Sequence, residues 1–226
     1  MDRDILRPAF RLEREGDLEI YYAPMDWLRP TARVSIVGIT PGKGTMLLAY
    51  GSVSRGLAEG RGPTSVLNDA KDNSFSGFRS QLVEWLDWLG IASALGLETS
   101  AMLWKPGGRR LLHPTSAIRY PTFRRGENYS GGSPPLVRHP MLRRYLAETL
   151  APELERIPDA LIIPLGVQVA AGIAHLSEAD LVSPARCHVG FPHPSGQNGH
   201  RMKHWRANRE GLKRKVRAWF VAHPVR

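Results

Sequence analysis

A single cysteine, Cys187, stands in 226 residues. One thiol excludes any disulfide within the chain and any cysteine-held iron–sulfur cluster, and it fits a reducing compartment. Long apolar runs are also missing: the longest, Ala160 to Ala174, is too short to span a bilayer and carries Gly166 and Gln168. The opening "MDRDILRPAF" is acidic from its second residue and lacks an apolar segment, so it does not read as a secretory signal. Acidic residues are scarce over long stretches. From Met1 to Pro30 they outnumber bases seven to five. Ala101 to Leu150, by contrast, holds nine Arg and Lys against Glu127 and Glu148, and Arg186 to Arg226 holds ten against Glu210 alone.

What is present fits a globular chain with an anionic partner. The hydrophobic share of 42% and aromatic share of 8%, with no internal repeat and no low-complexity run, are enough to bury a core. The length predicts one domain, residues 1–226, with 1–30 as an N-terminal extension packed on it. A formal charge of +10, set in folded-looking sequence, points to a basic face that neutralises phosphates. A merely soluble basic protein is the plainer alternative.

"RVSIV" (Arg33 to Val37) predicts a strand running into the glycine-rich turn "GITPGKG". A polar stretch follows to Ser74, and then "SQLVEWLDWLGIASALG", whose Leu82, Trp85, Leu86 and Leu89 recur at helical spacing. "TSAMLW" and "RLLHPTSAIRY" read as strands around the turn "KPGG". After the basic loop "PTFRRGENYSGGSPPLVRHP" comes a helix from about Met141, with Leu142, Tyr145, Leu146 and Leu150 on one side. "DALIIPLG" reads as a buried strand leading into the helix "VQVAAGIAHL", and "RCHVGF" as one more strand. Met202 to Ala222 closes the chain as a helix with Leu212, Val216, Trp219 and Phe220 on one stripe and Arg206, Lys213, Arg214 and Arg217 on another. Alternating strands and helices predict an α/β fold with a mostly parallel sheet, whose ligands bind at the carboxyl ends of strands. "GITPGKG" and "PHPSGQNGHR" both follow strands, so two loops distant in sequence are expected to share one cleft.

"GITPGKGT" is not a Walker loop, because only three residues separate Gly38 from Gly42 and Gly44 follows Lys43. His188, His193, His200 and His204 lie within seventeen residues, but no nearby carboxylate or second cysteine completes a zinc set, so no metal is expected. His193 differs from the others: Pro194 restricts its backbone, and the Ser, Gly and Asn positions after it favour a turn that presents N–H groups to an anion.

Taken together, "VSIVGITPG" and "GFPHPSGQNGHR" resemble the two signature motifs of the uracil-DNA glycosylase superfamily. "NSFSGFRSQLVEWLDWLGI" is similar to that family's aromatic-then-helix segment, and "DALIIPLGVQVAAGI" to its strand and helix before the His loop, so four motifs stand in order from Ala32 to Phe220. The resemblance implies a three-layer α/β/α sandwich around a central, mostly parallel four-stranded sheet. It also implies residue roles. Phe75 matches the aromatic that stacks on an extruded base, and His193 the donor to the departing base oxygen. Thr40 stands where the family carries Asp or Asn to orient water; a hydroxyl positions water but takes no proton from it near neutral pH. Gly38, Ile39, Pro41 and Gly42 form the rest of the first substrate loop, and the absence of a bulky aromatic beside Pro41 implies a roomier pocket that admits other deaminated bases. Ser116 or Asn128 would read the base edge, since the family's Asn is missing. Lys43, Ser195, Gln197, Asn198, His200 and Arg201 would hold DNA, Gln197 or Asn198 filling the space the base vacates.

The expected function is therefore monofunctional hydrolysis of uracil from DNA, leaving an abasic site, without cofactor. The expected partner is DNA carrying uracil or another deaminated base, bound by a cytoplasmic, nucleoid-associated monomer with no membrane and no iron–sulfur cluster. Two rivals stay open at this point: a weak or inactive member of the fold that binds DNA without turnover, and an RNA- or nucleotide-binding protein that uses the basic face alone.

Overall fold

The computed structural model describes residues 5–196 and 198–225. In chain order the elements are β1 (Arg11–Glu15), β2 (Leu18–Tyr21), β3 (Val34–Gly38), α1 (Lys43–Ala58), α2 (Pro63–Lys71), α3 (Arg79–Leu89), α4 (Ile91–Ala94) and β4 (Leu112–Ser116). There follow β5 (Thr122–Arg124), β6 (Glu127–Asn128), α5 (Pro140–Tyr145), α6 (Ala151–Glu155), β7 (Leu161–Pro164), α7 (Val167–Glu178) and α8 (Arg201–Ala222). The protein is a mixed α/β fold. A parallel three-stranded sheet, ordered β4-β3-β7, forms its centre, and a separate antiparallel sheet, ordered β1-β2-β5-β6, flanks it.

Every residue of β3 is buried, which explains its unbroken apolar run: helices cover both faces. Val34 and Ile36 of β3, Leu112 of β4 and Leu161 and Ile163 of β7 pack with Leu82, Trp85 and Leu86 of α3 and Trp205, Leu212 and Val216 of α8. Val37 and Ile162 point the other way, into Leu142, Leu150, Leu154 and Ile173 on the α5–α7 side. The helical stripes read from the sequence on α3, α5 and α8 are these packed faces.

Three parallel strands share one carboxyl rim. Gly38 pairs with Ser116 and Val37 with Pro164, so β3, β4 and β7 end level. The ladder continues one step further, with Ala117 N–H to Gly38 O at 2.8 Å and Leu165 N–H to Val37 O at 2.9 Å. Loops after all three strands leave from that rim.

The sequence expectations need three corrections. Among the described residues the central sheet has three strands, not four: "RCHVGF" contributes a single parallel bridge, Cys187 to Ile162, where Arg186 turns its guanidinium onto the carbonyls of Ala160, Leu154 and Ile157 and Gly190 (φ +106°) bends the chain away. "TSAMLW" is a 3-10 turn, Ser100–Trp104, wound by Asp87, which accepts the Ser100 N–H at 2.6 Å and the Thr99 hydroxyl at 2.6 Å. The polar stretch before Ser74 holds α1 and α2, whose Met46, Ala49 and Ala70 pack under Tyr21 and Phe123 of the antiparallel sheet. Among the described residues no helix is long and apolar enough to cross a membrane.

Candidate functional site

A cavity of about 650 Å³ opens at the carboxyl rim. Gly38, Ile39, Thr40, Pro41 and Gly42 line it from the loop after β3, and His193, Ser195 and Asn198 line it from the loop before α8. Phe75, Ser116 and Asn128 complete the expected set. Loops more than 150 positions apart thus converge: β3 delivers the first, and the second is held beside the end of β7 by the Gly166 N–H to Phe191 O bond at 2.9 Å.

His193 is the best-defined group. Its Nδ1 accepts the Ser195 N–H at 3.3 Å, so the proton of the neutral ring sits on Nε2. Burial lowers the imidazole below the ordinary histidine value, which keeps the ring neutral at physiological pH. The Phe78 ring stands edge-on to it at 5.0 Å, and Asn198 Nδ2 donates to the His193 carbonyl at 3.1 Å. Gly166 allows this placement: a Cβ there would lie 3.3 Å from His193 Cβ, and its φ of +86° suits glycine alone.

Phe75 adopts φ 63°, ψ 16°, a left-handed conformation uncommon for a bulky residue. Its ring lies over Gly38, where a Cβ would meet Phe75 Cε1 at 3.0 Å and Ser116 Oγ at 3.6 Å. The small residue after Val37 therefore makes room for the aromatic ring, and the Ser116 hydroxyl shares that corner. Thr40 is committed differently. Its Oγ1 donates to Tyr120 O at 2.7 Å and accepts the Thr122 N–H at 2.9 Å, tying the first loop to the segment before β5. One lone pair remains on that hydroxyl, enough to accept from a water and not to deprotonate it. Asn128 Oδ1 caps α1 by accepting the Lys43 N–H at 2.9 Å.

The remaining expected contacts sit at the mouth. Lys43 opens α1, and His200 and Arg201 stand at the start of α8, outside the lining. Arg201 Nη1 reaches Asn198 O and Gly196 O at 3.4 Å. The His200 and His204 rings lie 6.1 Å apart. Gln197 lies outside the described residues.

Sequence reasoning missed the inner wall. Lys71, Thr115 and Arg119 line the cavity and converge on Glu153 behind it. Burial opposes ionisation of Glu153, yet Lys71, His113 and Arg119 hold its carboxyl well below the usual carboxylate range. Burial, with the Lys71 charge next, pushes His113 down to about 4. These residues come from α2, β4, the segment after β4 and α6, with no shared spacing; no pattern in a single sequence marks them. Among the described residues that line the cavity there is no Asp or Glu.

The chain is 36% identical over 220 residues to the uncharacterized protein YoxB of Bacillus subtilis (strain 168), a match that covers 96% of this chain and 86% of that protein. No family model matches the chain.

Proposed function

The chain belongs to the same family as YoxB, and from the site described above we propose that it is a DNA glycosylase that hydrolyses uracil from DNA. The single observation that carries the reading is His193: a neutral imidazole with its Nε2 proton free of the Nδ1 contact, lining a cavity that Phe75 also lines. In this reaction the bond between the sugar C1′ and the base N1 breaks, and its electron pair leaves with the base. Negative charge grows on the departing base, and the Nε2–H donates to its carbonyl oxygen, stabilising that charge in a partly desolvated pocket. Water captures the sugar cation and releases a proton to solvent, which leaves an abasic site. With no carboxylate among the described lining residues, water activation contributes little, and the step rests on leaving-group stabilisation.

In this reading Phe75 stacks on the extruded base, while Ser195, Asn198, Lys43, His200 and Arg201 hold phosphates at the mouth. The three-stranded sheet with its Cys187 bridge would then be the superfamily's central sheet with a reduced fourth strand.

The test is a uracil-containing oligonucleotide incubated with protein and then treated with alkali. Scission is expected from wild type and from His200→Ala, and a loss of at least about 100-fold in His193→Ala. No scission at high protein excess would sink the enzymatic claim. That outcome would favour a second reading, binding of DNA without turnover, which the committed Thr40 hydroxyl and the carboxylate-free lining support.

A further inference from the structure

The charged wall behind the cavity has no part in the reaction as written above. Lys71, the last residue of α2, is 1% exposed and still lines the cavity. Its Nζ donates to Met25 O at 3.1 Å and lies 3.7 Å from Glu153 Oε1. Thr115 Oγ1 donates to Glu153 Oε2 at 2.5 Å, and Arg119 Nε lies 3.0 Å from Glu153 Oε1. One carboxylate outside the lining thus gathers three lining side chains at one end. Burial says which end: Lys71 is sealed, whereas Val167, also in the lining, is 78% exposed and marks the mouth. An ammonium carries three hydrogens. One goes to Met25 O and one faces Glu153, so among the described residues a donor is left without a protein partner in a buried wall, where an unmet donor is costly.

We propose that Lys71 reads the base, its ammonium donating to the exocyclic oxygen on the Watson–Crick edge of an extruded oxo base and rejecting amino bases. The proposal rests on the glycosylase reading. The mouth belongs to the sugar and phosphates, so the edge of the base far from the sugar reaches the closed end. Uracil and hypoxanthine present an oxygen where cytosine and adenine present an amino group. A lysine donates only, so an amino group meeting it leaves two donors face to face. The substrate class that follows is the 4-oxopyrimidines and 6-oxopurines, uracil and hypoxanthine among them, with cytosine and adenine rejected. Glu153 acts through Lys71 as a positioning residue.

The groups facing the ammonium are Glu153 of α6, His113 of β4, Arg119 of the segment after β4, and Arg29 and Asp26 of the segment before β3. Burial pushes Lys71 down to about 8 against the pull of Glu153. Its charged form therefore prevails below that pH and is lost above it.

Single-turnover release from duplexes bearing uracil, hypoxanthine or cytosine tests the idea in wild type, Lys71→Met, Lys71→Arg and His193→Ala. Lys71→Met is expected to lower uracil and hypoxanthine release about 10- to 100-fold, the range for one lost charged donor. It should also abolish the decline of the rate above pH about 8, and leave affinity for an abasic-site duplex, which has no base to read, within about twofold. Wild-type rate and an unchanged alkaline decline in Lys71→Met, with His193→Ala inactive, would overturn the base-reading role and leave the glycosylase intact. Where Lys71→Met melts below wild type, Lys71→Arg decides: a guanidinium stays charged, so the decline should vanish, and an unmoved decline overturns the role. No release by wild type would remove the glycosylase reading itself. Free uracil titrated by NMR then decides for Lys71, because saturable binding lost in Lys71→Met supports it and no binding to wild type overturns it.

Discussion

Gly38 shows how one residue type ties a strand to a site. It is the last position of β3, paired with Ser116, and the ring of Phe75 occupies the volume its side chain would take. An alanine there would set Cβ 3.0 Å from Phe75 Cε1, tighter than nine in ten such contacts, so the ring must give by a few tenths of an ångström. The ring is half-buried, lining the cavity on one side and packing against the edge of the core on the other, so Gly38→Ala is expected to cost about 1 kcal/mol of stability. On the proposed function, uracil release should nonetheless fall roughly 10-fold or more, since sub-ångström misplacement of the ring proposed to stack on the base weakens alignment. Denaturant melts beside single-turnover rates check this, and a variant as active as wild type would remove Phe75 from the pocket. Gly38 was legible as part of a motif. The reason for it was not, because the ring it accommodates comes from a segment more than thirty residues away.

At the scale of elements, α8 joins stability to the site. Its first turns carry Trp205, stacked on Trp85 of α3 at 4.6 Å and tilted against Phe191 at 5.7 Å, directly after the His193 loop. Its later turns bury Val216 in the same cluster, away from that loop. Trp205→Ala is expected to destabilise the fold by about 3–5 kcal/mol and also to slow release under conditions where it remains folded, because the anchor of the His193 loop is gone. Val216→Ala should cost about 1–3 kcal/mol and, on the proposed function, leave the folded protein's release rate unchanged. Equal loss of rate in both would mean that α8 supports the core alone. The stripe of α8 was readable from its spacing, since helical periodicity is a local property. That Trp205 braces the His193 loop was not, since it depends on α3 standing opposite.

For the whole molecule, the formal charge of +10 implies binding that weakens with salt, but it does not say where. The structure puts Lys43 and Arg201 at the ends of two helices flanking the cavity. Lys43→Ala and Arg201→Ala are each expected to weaken binding of uracil-free duplex and to lower the slope of log affinity against log salt by about 1. Substituting Lys213, on the solvent side of α8 over Trp88 at 4.5 Å, should leave that slope unchanged if the mouth is the DNA face. Fluorescence anisotropy across a salt series measures all three.

By itself, the sequence determined what depends on near neighbours. Periodicity marked the packed stripes of α3, α5 and α8, short apolar runs ending in turns marked β3 and β7, and turn chemistry marked the Thr40 and His193 loops. Tertiary structure decided whatever depends on pairing across the chain. It reduced the expected fourth strand to the Cys187 bridge, committed the Thr40 hydroxyl to Tyr120 and Thr122, and set Lys71, Thr115 and Arg119 around Glu153. The physical reason is the range of the forces involved. Backbone preference and hydrophobic period act over a few residues and leave a visible pattern, whereas a buried charge acquires its partners only when distant segments are brought into contact.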